Sequence, residues 1–184
     1  MRRKGFTLVE LLGVIALLAI IGVIAGTSVL TIMSKQKENL ANMAENNIRE
    51  SAVSYFLNKK KIYMPACRTN STTYKTFIKT DFDNIATNVD TNSDNKYSAA
   101  EVTAFNGSSV NKRVALGEST KVSGSTLDIC YNVITVAMLE DAGMIEETED
   151  RCDKNALIVV YSKGDTNNPE GEFTALYDDE MCKA

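Results

Sequence analysis

A single carboxylate, Glu10, lies near the start of an apolar segment at the beginning of this chain. From Leu11 to Met33 no residue carries a charge. At ~1.5 Å per residue, a helix over this run is roughly 34 Å long, and the hydrocarbon core of a bilayer is about 30 Å thick. A carboxylate beside such a span is costly to bury unless an opposite charge compensates it. The position of Glu10 therefore predicts that something compensates the cost of its charge.

Four cysteines are the other side chains with distinctive chemistry, and all of them follow the apolar run. If that run crosses a membrane, they lie on the exported side, where disulfides form and persist. Four cysteines can pair in three ways. Zinc binding is the alternative, but structural zinc sites use closely spaced C-x-x-C pairs, which the chain lacks. The four residues are Cys67, Cys130, Cys152 and Cys182.

The sequence lacks the usual features of enzymes and of nucleic-acid-binding proteins. It contains no histidine, which is the commonest general base and transition-metal ligand. It also has no Gly-x-Ser-x-Gly motif and no phosphate-cradling loop. The net charge of −4 argues against a broad basic surface. We therefore expect a protein that is not an enzyme, requires no cofactor and binds no nucleic acid directly.

Charges before the apolar run predict its orientation. Arg2, Arg3 and Lys4 precede it, so by the positive-inside rule the N-terminus stays in the cytoplasm and the chain after Met33 is exported. A cleaved secretory signal peptide is the alternative, but its apolar core is usually shorter and its cleavage site needs small residues. We expect a single-pass membrane protein with an exported C-terminal domain.

The helix is predicted to continue beyond the membrane. Between Lys35 and Leu57, apolar residues recur at intervals of three and four, which is typical of one stripe of an amphipathic helix. Lysines at 59–61 suit the C-terminus of a helix, and Pro65 prevents its continuation. A single helix from about Phe6 to Leu57 would be roughly 78 Å long.

The remainder of the chain is predicted to form a small α+β domain with an antiparallel sheet. A polar insertion rich in Thr, Asn, Ser and Asp occupies about 69–107. A short helix is expected between Thr135, as its N-cap, and Gly143, just beyond its end. The predicted strands are 110–116, 125–133, Ala156–Ser162 and Glu172–Asp178.

The last two predicted strands indicate how the cysteines pair. If these strands form a hairpin centred near Asn167, then Cys152 and Cys182 are equally distant from the turn and lie opposite each other in an antiparallel ladder. The remaining pair, Cys67 and Cys130, then joins the loop after the long helix to the strand that begins near residue 125. We predict these two disulfides.

The stretch KGFTLVE at residues 4–10, followed by the apolar run, resembles the start of a type IV prepilin. The resemblance implies that a membrane peptidase cuts between Gly5 and Phe6, and that the new amine of Phe6 is methylated. It also implies that Glu10 pairs with the amine of a neighbouring subunit during assembly; snorkelling of Glu10 to the cytoplasmic interface is the simpler alternative. Many pilins have a proline halfway along the membrane helix, whereas this chain has Thr27 there.

The resemblance also implies a fold, a function and partners. The fold is a type IV pilin-like α+β architecture, in which a long N-terminal helix packs on a small antiparallel sheet. The function is that of a structural subunit of an extracellular pilus. Its partners are other pilin subunits, the prepilin peptidase, the assembly machinery and, before assembly, the membrane. The implied segments are a leader at 1–5, a membrane and polymerisation helix at 6–33, its amphipathic second half at 34–61 and the exported domain at 62–184.

A second stretch, DTNSDNKYSAAE at Asp90–Glu101, resembles the EF-hand calcium loop. In this chain Asn95 replaces the glycine of the sharp turn and Tyr97 replaces an aliphatic residue. Upstream, Phe82 and Ile85 are not expected to match the spacing of an entering helix. An ordinary solvated polar loop is the alternative. The calcium ligands that the resemblance implies are Asp90, Asn92, Asp94, Lys96 through its backbone carbonyl, Ser98 and Glu101.

Two other functions stay open from the sequence. One is a minor pilin or a pseudopilin of a competence or type II secretion system, which the sequence separates poorly from a major pilin. The other is a membrane-anchored calcium-binding module that never polymerises. Glu10 and the Gly5–Phe6 junction disfavour that module, because a plain membrane anchor needs neither.

Overall fold

The computed structural model of the chain describes residues 7–68, 73–117, 130–148, 151–169, 171–177 and 181–183, and for residues 23–30 it describes the backbone alone. The chain divides into two compact units, with the boundary between Leu40 and Ala41. This boundary lies inside the predicted amphipathic segment 34–61. Each unit is described separately.

Apart from Thr7, the described residues of the first unit belong to one helix, α1 (Leu8–Ser54). The predicted start of the helix, Phe6, lies outside the described residues, as do the side chains of 23–30 within the predicted membrane segment 6–33. The large apolar side chains described between Leu8 and Ile21 are 47% to 79% exposed. Within the described ranges, no helix combines the length and the apolar character that a membrane crossing requires.

In the second unit, α1 ends in a widened turn. The π-helical turn Tyr55–Lys59 follows Ser54, and the N–H of Lys60 donates to the carbonyl of Tyr55 at 2.8 Å. The predicted helix end falls within this turn. Lys61 has a left-handed backbone conformation with φ of 51°, so the chain leaves the helical path four residues before Pro65.

Among the described residues of the second unit, three antiparallel strands form one sheet in the order β1, β2, β3. Tyr131 of the first strand faces Tyr161 of the second, and Ser162 of the second faces Phe173 of the third. The described chain is therefore of the α+β class, with a small antiparallel sheet that is compatible with a pilin-like fold. The strands are β1 (Tyr131–Thr135), β2 (Leu157–Lys163) and β3 (Glu172–Tyr177).

Four shorter helices are described in the second unit. In the polar insertion, α2 (Lys79–Val89) and α3 (Ala99–Gly107) flank the predicted calcium loop, and α4 (Ser109–Ala115) follows them. The fourth, α5 (Val136–Asp141), follows β1 directly. The prediction of this last helix is confirmed, because the hydroxyl of Thr135 accepts a hydrogen bond from the N–H of Met138 as an N-cap does.

The sheet is covered on both of its faces. Along β2, Ile158 and Val160 pack in one core cluster with residues of α1 such as Ile48, whereas Leu157 and Val159 pack in a second cluster with residues of α2 and α3. Successive side chains of a strand point to opposite faces. This explains why β2 is a continuous apolar run in the sequence and does not alternate with polar residues.

The prediction of a strand at 110–116 is wrong, because helix α4 covers all of these residues except the last, which is its C-cap. The hydroxyl of Ser108 accepts from the N–H of Asn111 at the start of the helix. The two buried residues of α4, Lys112 and Ala115, are three positions apart, so they share one face of the helix. Short apolar runs do not distinguish a strand from a helix segment by periodicity alone.

The expectation that Phe82 and Ile85 do not fit an entering helix is also wrong. Helix α2 leads directly to Asp90, and it buries Phe82, Ile85, Ala86 and Val89. These positions recur at helical intervals and form one apolar face. Of the predicted strand 125–133, only the last four residues are described, and β1 begins at Tyr131.

The structure contains both of the cysteine pairs that the sequence predicts. Cys67 is bonded to Cys130, and both residues lie in the core cluster beneath α2 and α3. Cys152 is bonded to Cys182, and both lie in the cluster beneath α1. The backbone N–H of Cys182 also donates to the Oε1 of Glu45 on α1 at 3.0 Å, so the second disulfide fastens the C-terminal segment to the long helix.

The side chain of Asn106 at the end of α3 pairs with the outer edge of β1. Its Nδ2 donates to the carbonyl of Val133 at 2.8 Å, and its Oδ1 accepts from the N–H of the same residue at 2.8 Å. One amide side chain thus satisfies both backbone groups of Val133, as a neighbouring strand would. Backbone groups at a sheet edge that stay unpaired away from water are costly.

We predict that Asn106→Ala lowers the free energy of unfolding by about 1–3 kcal/mol, because it leaves both groups of Val133 without their partner. Urea unfolding of a soluble fragment that begins at Lys35 measures this change. The control is Asn111→Ala on the exposed face of α4, for which we expect a change within about 0.5 kcal/mol. Equal effects of the two substitutions would contradict the role of Asn106.

Candidate functional site

At the start of α1, Glu10 is part of a capping box. The backbone N–H and the hydroxyl of Thr7 donate to the Oε2 of Glu10 at 2.9 and 3.0 Å, and the N–H of Glu10 donates back to the Thr7 hydroxyl at 3.3 Å. In a capping box these bonds satisfy donors that the first turn of a helix leaves unpaired. Glu10 therefore stabilises the start of the helix within a single chain.

Sequence reasoning missed this second role of Glu10, although the signal is present. Thr7 and Glu10 have the T-x-x-E spacing of a capping box directly before an apolar run. The predicted cleavage site between Gly5 and Phe6 lies outside the described residues, and so does the amine of Phe6. The pairing of Glu10 with a neighbouring amine stays a prediction.

The second candidate site is the loop between α2 and α3. Helix α2 ends at Val89, the loop begins at Asp90, and Ser98 is the N-cap of α3. Helix, loop and helix thus follow one another in the order of the motif that the sequence resembles. Glu101, the last predicted ligand, lies in the first turn of α3.

Carboxylates of the loop accept hydrogen bonds from its own backbone. Asp90 accepts from the N–H groups of Asp94 and Asn95 at 3.2 and 2.9 Å, and Asp94 accepts from the N–H of Lys96 at 2.8 Å. Asn95 has a left-handed backbone with φ of 58°. Asparagine tolerates this conformation better than most residues, which explains how it stands at the position of the motif's glycine.

Glu101 is held by residues at both ends of the loop. Its Oε2 accepts from the N–H and the hydroxyl of Ser98 at 3.1 and 2.7 Å, and its Oε1 accepts from the N–H and the hydroxyl of Thr91 at 3.2 and 2.9 Å. The bonds from Ser98, followed by those from Thr91, lower the pKa of Glu101 to about 2. The side chain is therefore a carboxylate at neutral pH.

The predicted ligands share one loop, but their carboxylates do not converge on one point. Within the described ranges, no group of three or more Asp, Glu, Cys or His side chains is close enough to hold a metal ion. The other predicted donors are an amide oxygen of Asn92, a hydroxyl of Ser98 and a carbonyl of Lys96. A donor set made of oxygen alone fits a hard cation such as calcium.

Both helices that flank the loop are anchored in the protein core. The anchoring side chains of α2 and α3 pack in one cluster with β1 and β2 and with the Cys67–Cys130 disulfide. The ring of Phe105 on α3 lies 6.3 Å from that of Tyr131 on β1. A change in the loop would therefore act on the folded domain and not only on an exposed surface.

The comparisons with known proteins concern the N-terminus. Residues 1–26 match the family model described as the prokaryotic N-terminal methylation motif. This match supports a type IV pilin-like or prepilin-like protein, in agreement with the resemblance of residues 4–10. No curated protein and no solved structure matches the chain.

Proposed function

We propose that this protein is a structural subunit of an extracellular type IV pilus, which assembles through its N-terminal helix after cleavage by a prepilin peptidase. The methylation motif at residues 1–26 is the observation that carries the proposal. The exposed apolar side chains between Leu8 and Ile21 support it, since an apolar surface of this kind needs a membrane or other subunits to cover it. The α+β domain and its two disulfides suit an exported, filament-forming protein.

A minor pilin or a pseudopilin of a secretion or competence system is the second candidate. It would share the motif, the processing step and the helix. The two candidates differ in abundance, because the major subunit is the dominant protein of the filament. Electron microscopy of sheared surface filaments, with mass spectrometry of their dominant protein, distinguishes them.

Processing is the first test of the proposal. We predict that the mature protein begins at Phe6 with a methylated amine and lacks residues 1–5, because KGFTLVE resembles a prepilin junction. Edman sequencing and intact mass spectrometry of membrane-extracted protein measure this. The control is Gly5→Leu, which we expect to leave the leader attached because it changes the residue before the cut. Filaments built from a chain that begins at Met1 would overturn the proposal.

We further propose that the Glu10 carboxylate pairs with the Phe6 amine of a neighbouring subunit. Each charge alone is costly in an apolar environment, and together they compensate. Within one chain, Glu10 already accepts two hydrogen bonds from Thr7. These bonds hold the carboxylate at the start of α1, near the position where the mature chain would begin.

We predict that Glu10→Val reduces the filament yield by more than about tenfold, because breaking a buried ion pair costs about 3–5 kcal/mol. The amount of subunit in the membrane should stay normal, since the substitution removes a charge from an apolar segment. Quantification of sheared filaments against membrane-bound subunit measures both quantities.

The matched control is Thr7→Ala, which removes the capping partner and keeps the charge of Glu10. The expected cost of a lost cap is about 1 kcal/mol, so this variant should keep most of its filament yield. If Thr7→Ala reduced the yield as strongly as Glu10→Val, helix capping and not charge pairing would be the role of Glu10.

We propose calcium as the ligand of the loop between α2 and α3. The helix–loop–helix order, the left-handed Asn95 and the all-oxygen donor set support it. The residues that would hold the ion are Asp90, Asn92, Asp94, Lys96 through its carbonyl, Ser98 and Glu101. A membrane-anchored calcium module that never forms filaments is the remaining alternative, and the filament experiments above test it.

We predict that calcium raises the melting temperature of the fragment that begins at Lys35. A single extracellular loop should bind with a dissociation constant on the order of 10⁻⁴–10⁻³ M, and ~100-fold excess of calcium then adds about 2.7 kcal/mol of stability. Glu101→Gln should abolish the shift, whereas Asp83→Asn, an exposed carboxylate of α2 outside the loop, should keep it. Equal melting temperatures in calcium and in chelator, together with no heat of binding in calorimetry, would show that the loop does not bind calcium and is an ordinary polar loop.

A further inference from the structure

The side chain of Lys112 is turned into the protein interior. It is 4% exposed, and among the described residues it is the only charged side chain that is buried. Its helix, α4, is fixed at this point because the hydroxyl of Tyr131 donates to the Lys112 carbonyl at 2.7 Å. Removing an ammonium group from water is costly, so the buried position requires an explanation in terms of its neighbours.

A carboxamide lies beside the amine. The Nζ of Lys112 donates to the Oδ1 of Asn132 on β1 at 2.9 Å, and Asn132 is 6% exposed. The Nδ2 of Asn132 donates to the sulfur of Met64 at 3.1 Å, which is a weak acceptor. The ring of Tyr131 lies 5.8 Å from Nζ. An amine and a carboxamide are thus held together, away from water.

This geometry points to an intramolecular isopeptide bond between Lys112 and Asn132. The neutral amine of Lys112 attacks the Cγ of Asn132, so that the Nζ–Cγ bond forms and the Cγ–Nδ2 bond breaks. A proton moves from Nζ to the departing nitrogen, which leaves as ammonia and takes up the remaining proton of the original ammonium group in water. The reaction exchanges one amide for another and consumes no oxidant, reductant or further reactant.

Two physical effects favour the exchange at this site. The hydrogen bond from Nζ to Oδ1 holds the two groups in contact, and groups held together within one molecule can react with effective concentrations of up to about 10⁵–10⁸ M. The product is a neutral amide, which costs less to bury than an ammonium group. The exclusion of water also protects the amide, because hydrolysis competes less in a buried site.

The consequence is a covalent link between α4 and β1. It would close the chain from Lys112 to Asn132 into a ring, two residues from Cys130 and its disulfide. Reduction of the disulfides would leave this link intact. It would therefore hold the domain together under conditions that open both cysteine pairs. The inference does not depend on whether the protein forms filaments.

Mass spectrometry of the full chain, extracted from membranes, reduced and denatured, tests the inference. We expect a mass lower by one molecule of ammonia than the processed sequence with free thiols. In a tryptic digest, cleavage after Lys112 should be blocked, and one peptide should contain residues 112 and 132 joined through their side chains. Unlinked peptides with an unmodified Lys112 and Asn132 would overturn the inference.

A control is needed because the Asn106–Gly107 pair can also lose ammonia, by forming a succinimide. Lys112→Arg keeps the charge but removes the amine that reacts. We expect its mass to show no loss of ammonia, whereas a loss that persists in this variant comes from Asn106 and contradicts the cross-link. Should this variant not fold, the linked or unlinked state of the wild-type peptides decides the question by itself.

Discussion

The structure of the second unit depends on the burial of β2 between two layers of helix. Its side chains from Leu157 to Ser162 are all buried, and they alternate between the cluster under α1 and the cluster under α2 and α3. A strand that is apolar on both faces gains stability only where both faces are covered. Loss of either helical layer would expose half of this strand to water.

The two layers are built from different parts of the second unit. The layer of α1 is formed by residues near the end of that helix, such as Ile48 and Ala52. The opposite layer consists of helices that flank the polar loop, with Val89 and Val102 buried on either side of it.

Each core cluster contains its own covalent link. The Cys67–Cys130 bond lies among the residues under α2 and α3, and the Cys152–Cys182 bond lies among those under α1. Burial keeps such bonds away from reductants in solution, while the links restrict the unfolded chain. Two hydrogen bonds attach segments outside the sheet. The N–H of Cys182 donates to Glu45 on α1, and the side chain of Asn106 on α3 donates to the carbonyl of Val133 on β1. Such links stabilise small domains that can bury only a limited hydrophobic core.

The sequence by itself determined the features that depend on local pattern. The motif at residues 4–10, the helix after Thr135 and the strands β2 and β3 all follow from residue types and spacing within short windows. The pairing of Cys152 with Cys182 could also be derived, because the symmetry of a hairpin about its turn fixes which residues face each other. The capping role of Glu10 was equally readable, in the spacing from Thr7.

Only the tertiary structure decided whether short segments became helix or strand, and which polar groups became buried. The spacing of apolar residues in 110–116 is compatible with either a helix or a strand. The packing of Ala115 in the core favours the helix. Lys112 donates a hydrogen bond to Asn132, which is 20 positions away in the sequence. Asn106 donates one to Val133, which is 27 positions away. No pattern within a short window predicts such contacts, because they depend on how elements that are distant in the sequence pack against one another.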